Sequence, residues 1–245
     1  MKIIGAGLPR TATSTQLFVL EQLGFGPVYH MRNVLANLEG ELPAWEKVAE
    51  GEPDWEGILG DAQSCCDFPT ARYYRELAEF YPDAKVLLSV RSGESWARSM
   101  RDTIWPMYFG DSVMRHVNGA RAQVDEEWRR FLDLMIHQCW DEQTGAVAQG
   151  ASGEDADLIA AMERWNEGVR QAIPAERLLE WNPADGWEPL CTFLEVPMPD
   201  GPVPNINDML AFREGVLGGG LAVINAWWDQ RERPTGGLHG APAPQ

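Results

Sequence analysis

Short apolar runs recur along the chain where buried strands are expected. Lys2–Gly5 opens the sequence with such a run, and Lys85–Val90 is apolar on both faces, which is typical of an inner strand in a parallel sheet. Arg177–Glu180 predicts a last short strand, and weaker patterns at Val28–Tyr29 and Ile58–Leu59 indicate two more. The predicted strands are therefore far apart in the sequence.

Between these strands the apolar residues return at helical spacing. Leu17, Leu20 and Leu23 share one face of a helix that Thr13 or Ser14 would cap. Further helices are predicted in 33–56, over Thr70–Tyr81, after Ser92, and over Asp125–Gln149, Asp155–Ala172 and Gly186–Leu194. Strands separated by helices predict an α/β fold of three layers, with helices on both faces of a parallel sheet and extra helical insertions.

The length of 245 residues bounds the fold at one large domain or two small ones, and we predict a single domain over residues 1–231. Residues 232–245 are rich in Pro and Gly and poor in core residues, which predicts a disordered tail. Gly218-Gly219-Gly220 is interpreted as a loop.

Charge excludes several classes of partner. The chain has 20 basic and 37 acidic residues and a formal net charge of −17, which argues against non-specific binding to nucleic acid or anionic membranes. Its four cysteines form no C-x-x-C pair, which indicates free thiols in a reducing compartment. No signal peptide and no membrane-spanning apolar run are recognisable, so the expected location is the cytoplasm.

A glycine-rich turn separates the first strand from the first helix. It reads Gly5-Ala6-Gly7-Leu8-Pro9-Arg10-Thr11-Ala12, and the converging N–H groups of such a turn favour an anion. As a Walker-type nucleotide loop it lacks the second Gly, because Ala12 stands there, and the Lys, because Thr13 stands there. As a dinucleotide fingerprint it has Arg10 where close helix packing needs the third Gly.

A third interpretation assigns the chemistry to the arginine of this turn. Pro9-Arg10-Thr11-Ala12-Thr13-Ser14 places a cation and three hydroxyls around one anion. The segment resembles the 5′-phosphosulfate loop of sulfotransferases, whose bacterial branch commonly carries G-x-P-R-T-G-T-x-S. The resemblance implies a P-loop-like sheet and binding of the donor 3′-phosphoadenosine 5′-phosphosulfate (PAPS) by these six residues. Ala12 replaces a glycine of that pattern, and a positive φ there would be costly for alanine.

A second motif follows the Lys85–Val90 strand. Arg91 lies at the carboxyl end of this strand, where ligands of open α/β sheets bind, and Ser99 lies about two turns into the next helix. Arg-x₇-Ser after such a strand resembles the 3′-phosphate signature of sulfotransferases, which implies that Arg91 and Ser99 hold that phosphate. The alternative is an arginine at a sheet edge and a serine on a solvated helix face.

Sulfuryl transfer also needs positive charge on the departing phosphate and a base for the acceptor proton. Arg10 and the loop amides supply the charge, and this logic requires no metal. Cytosolic sulfotransferases commonly carry Lys-Thr-His-Leu-Pro upstream, where this chain has Cys65-Cys66-Asp67-Phe68-Pro69. The resemblance therefore implies Asp67 as the catalytic base, with Cys65 in place of a lysine that contacts the phosphosulfate.

Asp67 has a structural alternative, because it also suits the cap of the Thr70–Tyr81 helix, and neither role excludes the other. His30 and Asp61 are reserve candidates for the base.

Aromatic residues indicate the acceptor pocket. The segment Trp105-Pro106-Met107-Tyr108-Phe109 interrupts a helix beyond the donor motif and is a candidate lid or wall. We expect Trp105, Tyr108, Phe68, His30 and Asp61 to line the pocket. Aromatic walls suit aromatic or lipid-like alcohols.

The resemblance covers Met1 to Pro199, and Leu190–Pro197 resembles the family's closing F-L-G-V-P helix end. The late Arg-Lys-Gly turn that contacts the 3′-phosphate in cytosolic relatives is not found in this sequence, and Arg213-Glu214-Gly215 is only a weak match to it.

The sequence thus predicts a PAPS-dependent sulfotransferase acting on a hydroxyl or amine of a small, apolar or aromatic acceptor. The alternatives are a Mg²⁺-dependent nucleotide kinase or NTPase with a degenerate loop, and an inactive sulfotransferase-like binding protein.

Overall fold

A computed structural model of the chain describes residues 1–206 and 209–231. Within them, parallel strands form one five-stranded sheet in the order β2-β3-β1-β4-β5. The strands are β1 (Ile3–Gly5), β2 (Val28–Tyr29), β3 (Ser64–Cys65), β4 (Lys85–Ser89) and β5 (Leu178–Trp181). The pairing aligns Ile3 with Ser64 on one side of β1 and with Lys85 on the other. All strands therefore end at the same edge of the sheet, which is where the parallel geometry gathers the loops that follow them.

Helices occupy both faces of the sheet, as the α/β prediction requires. They are α1 (Thr13–Gln22), α2 (Met31–Ala36), α3 (Leu38–Ala49), α4 (Trp55–Leu59), α5 (Tyr74–Phe80), α6 (Gly93–Asp102), α7 (Val113–Ala122), α8 (Glu126–Met135), α9 (Asp155–Ala172), α10 (Trp187–Leu194) and α11 (Met209–Asp229).

The alternation of side chains along the strands divides the core in two. Ile3 and Leu87 pack with α1 and α10, whereas Ile4, Val86 and Leu88 pack with residues of α3, α5 and α9 on the other face. A third apolar cluster, centred on α6 and α9, lies beside the sheet edge where the strands end. The predicted three-layer α/β architecture with helical insertions is confirmed.

Most predicted strands are confirmed, and one is wrong. Ile58 and Leu59 belong to the helix α4, and the strand of that region is β3 instead. Both residues of β3 are buried, but two residues, one of them a serine, leave no periodic pattern in the sequence. The sheet neighbours β1 and β2 therefore define this strand through their backbone hydrogen bonds.

The helix predictions differ from the structure in three places. The predicted Thr70–Tyr81 helix begins with a 3₁₀ turn over Thr70–Tyr73, and α5 follows from Tyr74. The predicted Asp125–Gln149 helix ends as α8 at Met135, continues as one π-helical turn over Ile136–Trp140, and resumes as a 3₁₀ turn at Ala148–Ser152. The three glycines predicted as a loop lie inside α11, where a Cβ on Gly220 would approach Val117 Cγ1 to 2.7 Å. Close packing of α11 on α7 thus favours a small residue, and overrides the low helix propensity of glycine.

The remaining boundaries bear on the site. Ser92 caps α6, as predicted, by accepting a hydrogen bond from the Ser95 N–H at 3.3 Å. The N-cap of α1 is neither Thr13 nor Ser14 but Ala12, whose backbone is left-handed with φ +68°.

The tail predicted over 232–245 lies outside the described residues. None of the helices in the described ranges is long and apolar enough to cross a membrane.

Replacement of Ala12 by glycine should stabilise the protein, because a left-handed backbone costs alanine about 1 kcal/mol that glycine avoids. We expect the melting temperature of Ala12→Gly to rise by roughly 2–4 °C in differential scanning calorimetry. The matched control is Ala120→Gly in α7, where the residue is exposed and helical. It should cost about 1 kcal/mol. A fall of the melting temperature in both variants would contradict the strain assigned to Ala12.

Candidate functional site

The loops after all five strands meet at one edge of the sheet, where they enclose two adjoining cavities. The larger, of about 840 Å³, has a polar wall and is here called the polar cavity. It is lined by Arg10–Ser14, Val90–Ser92, Ser95, Arg98, Ser99, Asp102, Asn182–Ala184, 203–206 and Met209. The smaller, of about 300 Å³, is here called the apolar cavity. Arg10, Thr13 and Ser14 line both, so these residues form the junction between the two cavities.

The loop between β1 and α1 is held by side chains from distant parts of the chain. The indole Nε1 of Trp165 donates to the Ala6 carbonyl at 2.8 Å, and the Nε1 of Trp96 donates to the Pro9 carbonyl at 2.8 Å. Arg91 Nη1 donates to the Arg10 carbonyl at 2.9 Å. These donors offset the negative ends of the loop carbonyls, and the first-turn N–H groups of α1 add positive potential. The loop is therefore suited to an anion.

Close packing behind the loop requires a glycine at position 7. The Thr11 hydroxyl donates to the Leu8 carbonyl at 2.7 Å and lies 2.7 Å from the Ser89 hydroxyl at the end of β4. A Cβ on Gly7 would lie 2.0 Å from Ser89 Oγ. Thr11 is predicted from the sequence to bind the nucleotide that donates the sulfuryl group. In the structure its hydroxyl also holds the loop against β4.

The two predicted motifs meet in the polar cavity. Arg10 Nε donates to Ser99 Oγ at 3.2 Å, and Arg91 contacts the Ser95 hydroxyl. Burial, and secondly the neighbouring Arg10 cation, lower the pKa of Arg91 from its usual value. Two neighbouring guanidinium groups repel each other, and an anion that binds between them relieves this repulsion. Arg10, Arg91 and Ser99 are therefore placed to contact one polyanionic ligand.

Asp67 and His30 form a pair on the wall of the apolar cavity. Asp67 follows β3 with φ +67°, and its Oδ2 lies 3.3 Å from Nε2 of His30, which follows β2. His30 Nδ1 accepts the Arg32 N–H at 3.2 Å, so Nδ1 carries no proton and Nε2 is the protonated nitrogen that faces the carboxylate. The carbonyl of Asp67, rather than its carboxylate, accepts the bonds that begin the next turn, from the Thr70 hydroxyl and the Ala71 N–H. The carboxylate is thus directed to the cavity.

The apolar cavity has aromatic and sulfur-containing walls. Phe68 and Tyr108 line it, as predicted from the sequence, together with Trp96, Trp128 and Trp140. Its other lining residues are Leu8–Arg10, Thr13, Ser14, His30–Arg32, Leu35, Asp67, Met100, Ile104, Met107, Phe131, Met135, Cys139, Val147, Ala211, Phe212 and Val216. The polar groups of this list, from the loop and the ends of β2 and β3, gather on the side of the junction.

Two sequence predictions about this site, Asp61 and Trp105, are wrong in position. Asp61 is exposed between α4 and β3, and in the described part of the chain it lines neither cavity. Trp105 is not among the described residues that line the apolar cavity, and its Nε1 donates to the Ala151 carbonyl at 3.1 Å. Arg213 is exposed on α11 and is not among the described residues that line the polar cavity, because Phe212 is the residue turned inward.

Several site residues were missed by the sequence analysis. Arg32 lines the apolar cavity, and its Nη2 donates to Ser14 Oγ at 3.3 Å. Arg98 and Asn182 line the polar cavity, and Asn182 Nδ2 also donates to the Val90 carbonyl at 3.0 Å. Arg32 and Asn182 follow the carboxyl ends of strands, where ligands of parallel sheets bind, and this position is the sequence signal that could have identified them.

Among the described residues, no group of three or more His, Cys, Asp or Glu side chains is arranged to hold a metal ion.

Comparison with known proteins gives related chains. A family model described as a sulfotransferase domain matches residues 2–212. Ava biosynthesis cluster protein M of Aspergillus versicolor is 32% identical over 221 residues, which cover 84% of this chain and 80% of that protein. Among solved structures, a sulfotransferase from Alicyclobacillus acidocaldarius matches 94% of this chain and 96% of its own, with 14% identity and a TM-score of 0.39.

Substitution of Gly7 by alanine should destabilise the protein by about 1–3 kcal/mol, because the added Cβ overlaps Ser89 Oγ. Removal of that hydroxyl in the double variant Gly7→Ala/Ser89→Ala should recover part of the loss, with Ser89→Ala alone as the control. A double-mutant cycle of unfolding free energies measures this coupling. Strictly additive losses would contradict the contact.

Proposed function

The chain belongs to the sulfotransferase family, and on that premise we propose that it moves a sulfuryl group from PAPS to a hydroxyl or amine of a small apolar or aromatic acceptor. The observation that carries this proposal is the junction, where Arg10, Thr13 and Ser14 line the polar and the apolar cavity at once. A group held at the junction is accessible from both sides, which is the condition for direct transfer between two bound molecules.

The polar cavity suits the nucleotide part of the donor. Its loop offers backbone N–H groups and Arg10 to a 5′-phosphosulfate, while Arg91 and Ser99 offer a cation and a hydroxyl to a 3′-phosphate. Arg98 adds a further cation on the same wall. When bound, PAPS supplies the sulfuryl group on a phosphate leaving group. The cavity thus offers cations and hydroxyls to both anionic groups of this nucleotide.

The loop residues stabilise the charge that develops on the leaving phosphate. Arg10 has its Nε on Ser99, which orients the guanidinium, and its carbonyl is bonded by Arg91. These contacts fix the cation before the reaction, so that little reorganisation is needed as negative charge accumulates. The first-turn amides of α1 contribute in the same direction.

Asp67 is the proposed base. Its carboxylate faces the apolar cavity beside the junction, where the acceptor hydroxyl must lie to attack the sulfuryl group. His30, whose Nε2 lies 3.3 Å from Asp67 Oδ2, is placed to orient this carboxylate. In the transfer, the acceptor oxygen forms a bond to sulfur, the bond from sulfur to the phosphate oxygen breaks, and the acceptor proton passes to Asp67.

The walls of the second cavity define the acceptor class. A volume of about 300 Å³ suits a compact molecule. Aromatic and methionine side chains, among them Phe68, Met100 and Tyr108, form much of its wall. Such walls favour an aromatic or otherwise apolar alcohol with its nucleophile at the polar end.

Isothermal titration calorimetry with 3′-phosphoadenosine 5′-phosphate, ADP with Mg²⁺, and NAD tests the donor class. Binding of the first nucleotide alone is expected. Tight binding of ADP with Mg²⁺ would instead favour a kinase, and binding of the bisphosphate without sulfuryl transfer to any alcohol would favour an inactive binding protein.

Replacement of Arg91 should remove the preference for the 3′-phosphate. We expect Arg91→Ala to bind 3′-phosphoadenosine 5′-phosphate and adenosine 5′-phosphate with affinities within a few-fold of each other, whereas the wild type prefers the former by about tenfold or more. Because Arg91 also holds the Arg10 carbonyl, Ser99→Ala serves as a second variant that leaves this contact intact. An unchanged preference in both variants contradicts the assignment.

Asp67→Asn should lower turnover by roughly two to four decades, the usual effect of removing a general base. Calorimetric affinity for the nucleotide should stay within about twofold, since the carboxylate lies on the acceptor side. His30→Gln, which keeps a donor near the carboxylate, is the matched control and should lose less. Full activity of Asp67→Asn with an inactive His30→Gln would transfer the role of base to His30.

A further inference from the structure

We propose that Arg32 is a catalytic residue that binds the sulfuryl oxygens from the acceptor side of the junction. This inference rests on the proposed function, and it adds a second cation to the one that the loop supplies. The juxtaposition that carries it is the contact of Arg32 with Ser14, a residue that both cavities share.

Arg32 reaches the junction from the side opposite to the nucleotide. It is the second residue of α2, just beyond the carboxyl end of β2, and its Nη2 lies 3.3 Å from Ser14 Oγ. It lines the apolar cavity and is not among the described residues of the polar one. Of the two cavities found among the described residues, Arg91 and Ser99 line the polar one and not the apolar one. The two sets of residues therefore approach a donor from opposite ends.

The main chain of Arg32 ties this cation to the proposed base. Its N–H donates to His30 Nδ1, and the other nitrogen of that ring faces Asp67 at 3.3 Å. The guanidinium charge of Arg32 also acts on the Cys66 thiol, the same group on which the Asp67 charge acts. Burial and then the Asp67 charge raise the pKa of the Cys66 thiol, and the Arg32 charge opposes this rise. One segment, His30 to Arg32, thus positions both the base and the cation.

The chemistry calls for a cation at this point. During transfer the sulfuryl oxygens leave the nucleotide and approach the acceptor, so that charge moves from the polar cavity toward the apolar one. Cys65, which stands where the resemblance expects a lysine, is fully buried in β3 with its pKa raised to about 12, mainly by desolvation. A neutral, buried thiol supplies no charge to the junction, whereas Arg32 lies there with five N–H donors.

Arg32 is exposed in the structure, which makes its removal a clean experiment. We expect the unfolding free energy of Arg32→Ala to stay close to that of the wild type, because the side chain contributes little buried area. Phe18, whose ring lies 5.9 Å from the guanidinium, is exposed as well. Loss of function in this variant can therefore be read at the site rather than through the fold.

The test compares two nucleotides that differ by the sulfuryl group. Affinities for PAPS and for 3′-phosphoadenosine 5′-phosphate are measured by calorimetry without acceptor, in the wild type and in Arg32→Ala, Arg32→Lys and Arg98→Ala. Arg32→Ala is expected to weaken PAPS binding by about tenfold or more and to leave the affinity for the bisphosphate within about twofold. Arg32→Lys should recover part of the difference. Arg98→Ala, on the nucleotide side, should weaken both ligands in equal proportion.

Single-turnover transfer provides a second readout, in which Arg32→Ala should slow the chemical step by roughly a hundredfold or more. The inference is overturned if Arg32→Ala changes the two nucleotide affinities equally or not at all, or if it raises only the KM for the acceptor, which would assign Arg32 to an acceptor anion. A wild type that binds neither nucleotide, or binds without regard to the 3′-phosphate, refutes the proposed function itself, so the two failures are distinguishable.

Discussion

The site depends on the hydrogen bonds that hold the backbone of the β1–α1 loop. Arg10 and Ala12 both have left-handed backbone, a conformation that costs non-glycine residues energy unless the surroundings enforce it. The enforcing contacts come from Trp96, Trp165 and Arg91, whose side chains lie 81 or more positions along the sequence from the carbonyls that they bond. The conformation of the anion loop is therefore a property of the whole fold, and α6 and α9 take part in it as much as the loop does.

The parallel sheet explains why the chemistry divides into two halves. Each strand delivers its following loop to the same edge, so β1, β4 and β5 supply the polar cavity while β2 and β3 supply His30, Arg32 and Asp67. Since β1 lies between β3 and β4, its loop separates the halves and is shared by both. Under the proposed function, nucleotide selection and proton removal therefore fall to loops that follow different strands, and the loop after β1 joins them.

Local patterns in the sequence predicted the parts of this site that lie next to long apolar runs. The loop after β1 and the Arg91–Ser99 motif after β4 were placed correctly because both strands are apolar and their motifs are contiguous. Arg32 was missed although the strand before it, β2, was predicted, because no motif marks this residue and its role arises from its contact with Ser14. The strand β3 was missed because a strand of two residues carries no periodicity and is defined by its pairing with β1 and β2. The inward residue of α11, Phe212, was missed because packing against α7 and Arg10, rather than composition, sets that helix.

A crystal structure of the protein with 3′-phosphoadenosine 5′-phosphate tests the central claim most directly. The account predicts one nucleotide in the polar cavity, with its 5′-phosphate on the Gly7–Ser14 loop beside Arg10 and its 3′-phosphate on Arg91 and Ser99. A nucleotide bound elsewhere, or bound at the loop with its 3′-phosphate away from Arg91, would contradict the account.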